Sequence, residues 1–354
     1  KWDKNKIINA YIEAPKKGFN TELMGKDLYY WASVLLNISN KGLEKRDIIG
    51  KGGYNETNYL NHLKKIIENK TTNADHMIVN EAQKRKYKIF YYEPKKLSII
   101  NNKVVAKGFF IEFDYSSKKI FKIIKYQKLD LSKCKYILIR QDPPFNLEYI
   151  STTYILDNIK DKVKIVNNPT SVRNVSEKLY SSKFLKYMPK TIFTGDFNQI
   201  KNFYKINNKM IIKPIHGYSG NDILLIQGSF KNKLITKFLK KHGHIMCQKF
   251  LPKIKNGDKR VWIINGKVCG AISRIPKKGS FLSNLSKGAK AITAKPNKTE
   301  KKISKLIAKD LKKKDIYFAG IDFIDSKLNG DINVTSPTGL KTYYDLSKID
   351  LAKE

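Results

Sequence analysis

The stretch "NKMIIKPIHGYSGNDILLI", residues 208–226, carries a glycine-spaced loop directly after a Lys-Pro pair. Met210-Ile211-Ile212 reads as a strand entering the loop, and Ile223-Leu224-Leu225-Ile226 as a strand leaving it. Phosphate loops of the better-known kinds lie between a strand and a helix, whose N-terminus helps hold the anion. A loop between two antiparallel strands is a flap instead. It can lay backbone N–H groups over phosphates, and Gly217 and Gly220 permit a close approach. Lys213 can reach a phosphate as a point charge. A plain hairpin turn is the competing reading of the same residues.

Working outward, the segment after residue 180 is dominated by strand pairs: "KMIIKP" with "DILLI", "RVWIING" with "KVCGAISRI", and "AGIDFID" with "DINVTS". Helices are expected at 196–206, 233–242 and 299–313, giving an α+β pattern with antiparallel sheets. Asn265-Gly266 suits a two-residue hairpin turn. Residues 78–165 alternate helix and strand, with "KYILIR" (135–140) and "KVKIVNN" as buried-type strands. That alternation predicts an open α/β sheet with ligands at the strand C-terminal ends, where the Arg140–Pro144 turn falls. Residues 1–77 read as a helical packing module, with helices over 25–46 and 55–70 and no catalytic constellation.

Two further patterns carry chemistry. In "GIDFIDSKLNGDINVTSPTG" (320–339), Asp322 lies on one apolar strand, and Asp331 and Asn333 alternate on the next. Period-2 geometry turns Asp331 and Asn333 to one face. Two carboxylates and an amide oxygen form a hard-oxygen set that suits Mg²⁺, or else a pair of solvated hairpin residues. In "NGDKRVWIINGKVCGAISRIP", Arg260 and Arg274 fall on paired strands, from which two forked cations can bracket a phosphoryl group.

Composition narrows the function classes. The chain has 354 residues, 41% of them hydrophobic, enough for two or three compact domains. Its formal charge is +39, which invites a nucleic-acid reading. Of the 70 basic residues only six are Arg, and the lysines are spread along the whole chain. Bidentate base contacts favour Arg, so a solvated lysine surface is the preferred reading and no nucleic-acid partner is expected. No apolar run approaches the length of a membrane span, so no membrane partner is expected either. Cys134, Cys247 and Cys269 form neither a metal-ligand spacing nor a disulfide framework, which fits a reducing cytoplasm. The first residue is Lys1, so the chain is expected to be cut from something longer.

The order of these parts resembles the ATP-grasp superfamily, and within it the prokaryotic glutathione synthetases. The resemblance covers about residues 78–350 and rests on "RQDPPF" (140–145), "VNNPTSVRNVSEKL" (166–179), "IIKPIHGYSG" (211–220), "QKFLPKIKNGDKR" (248–260), "SRIP" (273–276) and "DINVTSPTG" (331–339). It implies a helical extension over 1–77, a pre-ATP-grasp α/β substrate domain over 78–165 that lacks the usual first strand, and a two-lobed ATP-grasp domain over 166–354.

The resemblance also implies roles. Lys178, Lys213, Gly217, Ser219 and Gly220 would lie on the ATP phosphates. Gln248, Lys249, Phe250 and Leu251 would hold the adenine through the backbone, with Asp258 near the ribose. Asp322, Asp331 and Asn333 would hold two Mg²⁺, or Mn²⁺ in its place, and Arg260 and Arg274 would stabilise an acyl phosphate. Arg140, Asp142, Asn284, Ser336 and Thr338 would lie near the peptide substrate. The implied reaction joins glycine to γ-glutamylcysteine in a cytoplasmic homo-oligomer. The alternatives are another ATP-grasp carboxylate–amine ligase and an impaired fusion remnant that only binds nucleotide.

Several positions depart from the family pattern. Asp331 stands for a usual glutamate, Ser219 for a glycine and His216 for an acidic residue. Leu282 stands for an arginine, and Ala289-Lys290 for Gly-Arg. The loop changes fall on segments that close over substrate, so slowed turnover is expected. Residues 1–77 weakly resemble the C-terminal end of a bacterial glutamate–cysteine ligase without its catalytic motifs, so a fusion of consecutive enzymes is the expectation there.

Overall fold

In a computed structural model of the protein, the described residues are 73–113 and 121–354. The helices expected over 25–46 and 55–70 lie outside them.

The first described helix is α1 (Asn73–Lys84). It stops at Lys84. Lys86 adopts a left-handed φ of 64°, which ends the helix. Strands β1 (Ile89–Tyr91), β2 (Leu97–Ile100), β3 (Lys103–Phe113) and β4 (Phe121–Asp130) form an antiparallel sheet in which β3 pairs with the other three. Asn101 and Asn102, both left-handed, make the two-residue turn that folds β2 back on β3. Among the described residues, parallel pairing is confined to β5 (Tyr136–Leu138) and β6 (Lys164–Val166), joined through α2 (Leu147–Asp157). The open sheet that alternation suggested in this segment is two strands wide. Helix α3 (Pro169–Asn174) then leads toward Lys178.

A small antiparallel lobe follows. It contains β7 (Thr191–Thr194), α4 (Phe197–Asn207), β8 (Met210–Pro214), β9 (Leu224–Ile226), α5 (Asn232–His242) and β10 (Ile245–Lys249), with strand order β7-β10-β8-β9. Asp196 caps α4 by accepting from the Asn198 and Gln199 amides. The pairs Ile200/Phe203 on α4 and Ile235/Phe238 on α5 are spaced for one helical face. They pack on Met210, Ile212, Ile245 and Cys247, all four fully buried. The two strands expected around the glycine loop are present: β8 and β9 pair antiparallel, Met210 opposite Ile226, with residues 215–223 between them.

The second lobe is a five-stranded antiparallel sheet ordered β13-β12-β11-β14-β15, comprising β11 (Asp258–Ile264), β12 (Lys267–Ile275), β13 (Lys290–Ala294), β14 (Phe318–Ile324) and β15 (Lys327–Asn333). Asn265 and Gly266 both have positive φ and form the expected hairpin turn. Helix α6 (Lys298–Lys312) opens with a capping box between Asn297 and Glu300. It buries Ile303, Ile307 and Leu311 in the same core as Val261, Ile263, Ile321 and Phe323. On the opposite face, Asp258, Arg260 and Asp322 line a cavity, while Trp262, Ile264 and Phe318 pack with Ala74, Met77 and Leu340. Helix α7 (Leu340–Ser347) closes the fold. Its Tyr343 packs edge-on against the fully buried Trp262.

Candidate active site

The register of the large sheet assembles the charged residues. Arg274 lies opposite Asp258 across β11 and β12, and Asp322 lies opposite Arg260 across β11 and β14. All four therefore share one face. Arg260 grips Asp322 with both arms, Nε to Oδ1 and Nη2 to Oδ2, each at 2.8 Å. Arg274 donates Nε to Asp258 Oδ1 at 2.7 Å and Nη2 to Asp322 Oδ2 at 2.8 Å. Forked donors on paired strands make this lattice rigid. Burial pushes the Asp322 carboxyl up, but the two guanidinium groups overcome that and hold it well below the usual carboxylate range.

A second cluster bridges the lobes. Lys213, at the end of β8, donates Nζ to the Asn329 carbonyl at 2.8 Å and lies 3.2 Å from Asp331 Oδ2 on β15. Lys178 Nζ lies 3.4 Å from Asp331 Oδ1 and donates to the Gly217 carbonyl of the flap at 2.6 Å. Burial would raise the Asp331 carboxyl, but Lys213 and Lys178 bring it below its ordinary value. Burial would lower the Lys178 ammonium, but Asp331 and Glu177 raise it.

Both clusters line one cavity of about 350 Å³ between the lobes. Every residue expected to bind nucleotide, metal or substrate lines it except Arg140. Asp331 and Asn333 face it together while Ile332 between them is fully buried, as period-2 geometry requires. Arg140 lies behind the wall, where it donates Nε to Asp75 at 2.5 Å and Nη2 to the Pro337 carbonyl at 3.1 Å. Asp258 reaches the cavity, yet Arg274 holds both of its oxygens. The amides of Lys249 and Phe250 already donate to the Lys190 and Lys209 carbonyls.

The flap and a second loop roof the cavity. Gly220 has φ +72°, and a Cβ there would stand 2.5 Å from Asn284 Oδ1. Lys287 Nζ donates to Asn221 Oδ1 at 2.7 Å, which ties the two loops together. Asp222, the next flap residue, pairs with Lys241 at 2.7 Å.

Glu177 was missed by sequence reasoning. It lines the cavity beside Lys178, where burial and the neighbouring Asp331 and Asp322 raise its carboxyl against the pull of Lys178 and Arg260. Asn329 was missed too, since only the fold brings its side chain onto Lys213. The signal for Glu177 was its place next to Lys178 in "SEKL".

Asp322, Asp331 and Asn333 offer oxygen donors only, on neighbouring strands, which is the donor chemistry of a hard divalent cation. No group of three or more His, Cys, Asp or Glu in metal-ligand range occurs among the described residues. Three oxygen donors leave the rest of a six-coordinate shell to phosphate and water.

The family model for the prokaryotic glutathione synthetase ATP-grasp domain matches residues 177–348, and that for the N-terminal domain matches 60–173. A glutathione synthetase of Rhodopseudomonas palustris is 34% identical over 278 residues, covering 77% of this chain and 88% of the relative. The chain belongs to the prokaryotic glutathione synthetase family. A glutathione synthetase of Buchnera aphidicola subsp. Baizongia pistaciae is 40% identical over 267 residues, covering 74% of this chain and 82% of the relative. Among solved structures, the macrocyclase MdnC from Microcystis aeruginosa, bound with its precursor peptide, superposes with TM-score 0.53 at 12% identity. It covers 80% of this chain and 94% of its own. The ATP-grasp ligase PsnB with a minimal precursor gives TM-score 0.51 at 11% identity, covering 79% and 91%. These two likenesses are of fold. Within this synthetase family fold, the flap of residues 215–223 overlies the cavity that holds both charged clusters.

Proposed function

We propose that this chain ligates glycine to γ-glutamylcysteine at the expense of ATP, giving glutathione, ADP and phosphate. The observation that carries the reading is the convergence of Lys178, Lys213, Arg260 and Arg274 on one cavity roofed by a glycine flap. No side chain needs to act as a nucleophile, because positioning and charge neutralisation do the work.

In the first step the acceptor carboxylate of γ-glutamylcysteine attacks the γ-phosphorus, and the bond to ADP breaks. Lys178 and Lys213, which both reach Asp331, hold the phosphates, and the flap covers them. In the second step the glycine amine attacks the acyl carbon, and phosphate leaves. Arg260 and Arg274 face the charge that develops on the acyl phosphate. Asp142, Asn284, Ser336 and Thr338 bound the peptide end of the cavity. A base edge would meet Leu251 in place of the two occupied amides before it.

Five cations line the cavity, Lys178, Lys213, Lys249, Arg260 and Arg274, together with five carboxylates, Asp142, Glu177, Asp258, Asp322 and Asp331. The protein alone therefore supplies little net positive charge to ATP. Mg²⁺ held by Asp322, Asp331 and Asn333 supplies the missing charge when bound. We further read residues 78–165 as the substrate domain and 166–354 as the ATP-grasp domain.

An ADP-release assay tests the reading. ADP should form with γ-glutamylcysteine and glycine together and fall sharply when either is omitted. Release driven equally well by an unrelated dipeptide would transfer the reading to another carboxylate–amine ligation. Nucleotide-dependent thermal stabilisation without any ADP would leave a binding remnant.

A further inference from the structure

The turn at residues 335–339 forms part of the cavity wall and is pinned from behind. Asn167 Nδ2 donates to the Val334 carbonyl at 2.7 Å, and Trp262 Nε1 to the Thr338 carbonyl at 3.2 Å. Ser336 Oγ donates to the Gln141 carbonyl at 2.8 Å. Arg140 Nη2 donates to the Pro337 carbonyl at 3.1 Å, and its guanidinium lies 5.6 Å from the Phe318 ring centroid. The side chains of Arg140 and Asp75 are only 15% and 13% exposed. Asp75 sits in the first turn of α1, far from the cavity in sequence and outside its lining.

Arg140 has a second acid close by. Asp142 is two residues along in the same turn, lines the cavity, and is near enough to feel the charges of both Arg140 and Asp75. A buried guanidinium does not stay without a counter-charge. It takes the carboxylate with the better geometry. We infer that Asp75 is a positioning residue: by holding Arg140 Nε it aims the guanidinium at the Pro337 carbonyl, fixes the 335–339 turn, and keeps Arg140 away from Asp142 at the peptide end of the cavity. The inference rests on the ligase reading for its kinetic consequence, while its structural consequence stands without it.

The expected kinetic signature of Asp75→Asn is a KM for γ-glutamylcysteine raised about tenfold with a KM for ATP changed less than about twofold, since a misplaced contact costs on this order. Asp75→Glu should recover most of the loss. Asp75→Asn combined with Arg140→Gln should be no worse than Arg140→Gln alone, because both act through one link. An equal rise in both KM values, or a double variant with additive losses, overturns the inference. Hydrogen–deuterium exchange on the full chain decides the matter even if the wild type proves inactive on this substrate. Asp75→Asn should speed exchange at 335–339 and leave β11 unchanged. Unchanged exchange at 335–339, or faster exchange throughout, contradicts the proposal. Should Asp75→Asn not fold, Arg140→Lys tests the same link, and it should also speed exchange at 335–339.

Discussion

Lys213 and Asp331 face each other across the cleft, Nζ to Oδ2 at 3.2 Å, one from each lobe. Lys178 takes the other oxygen of the same carboxylate. The pairing places both lysines against the strand that carries Asp331 and Asn333. Lys213→Ala should therefore raise the KM for ATP and lower kcat, with kcat/KM down about a hundredfold, the usual size for one charged contact to a transferring phosphoryl group. Steady-state kinetics with ATP varied would show it. A KM and kcat within about twofold of wild type would remove Lys213 from the phosphate site.

Arg274 pairs with both Asp258 and Asp322, and its side chain is 5% exposed. Removing it leaves two buried carboxylates short of a partner, a defect that costs about 3–5 kcal/mol. Arg274→Ala should thus lose turnover by about a hundredfold or more and also lower the urea midpoint. Asp322→Asn keeps the shape and should lose turnover to a similar degree. Near-normal activity in either variant would take that residue out of the mechanism.

The acid limb of stability follows from the same pairs. The folded-state carboxyls of Asp322 and Asp331 lie below their ordinary values. Their stabilisation is present above the unfolded carboxylate pKa of about 4 and is lost as pH falls through the lower folded values. Urea midpoints should decline from about pH 5 downward, and Asp322→Asn should flatten that slope. A variant whose midpoint falls as steeply as the wild type over this range would show that Asp322 does not carry the effect.

The two roof loops meet at Lys287 and Asn221 and at Gly220 and Asn284. Gly220→Val adds a β-branched side chain where φ is positive and Asn284 already fills the space. It should prop the roof open, so that water competes with glycine for the activated carboxyl. The readout is the ratio of ADP to glutathione, expected to rise well above one. A ratio that stays at one would show that this contact does not seal the cavity.

The sequence revealed most where side chains follow a fixed period. The β8–β9 flap, the Asn265-Gly266 hairpin and the shared face of Asp331 and Asn333 all follow from local rules, and the fold repeats them. Sequence spacing missed features that depend on distant pairing. Asp75 meets Arg140 from 65 residues away, a pairing that sequence spacing does not show and that keeps Arg140 out of the cavity lining. Sequence spacing does not reveal that Asn329 meets Lys213, a contact across 116 residues, or that Glu177 shares a cavity with Asp322 and Asp331. The width of the parallel sheet was hidden for a similar reason. Strand-length apolar runs do not say which neighbour they pair with, and the Asn101-Asn102 turn sends β2 back antiparallel.

The central claim is that a peptide carboxylate is phosphorylated in this cavity before the amine arrives. Isotope transfer measures it directly. With γ-glutamylcysteine labelled by heavy oxygen in its acceptor carboxylate, ATP and glycine, mass spectrometry should find one labelled oxygen in each inorganic phosphate released. Phosphate that carries no label while glutathione forms would contradict the account.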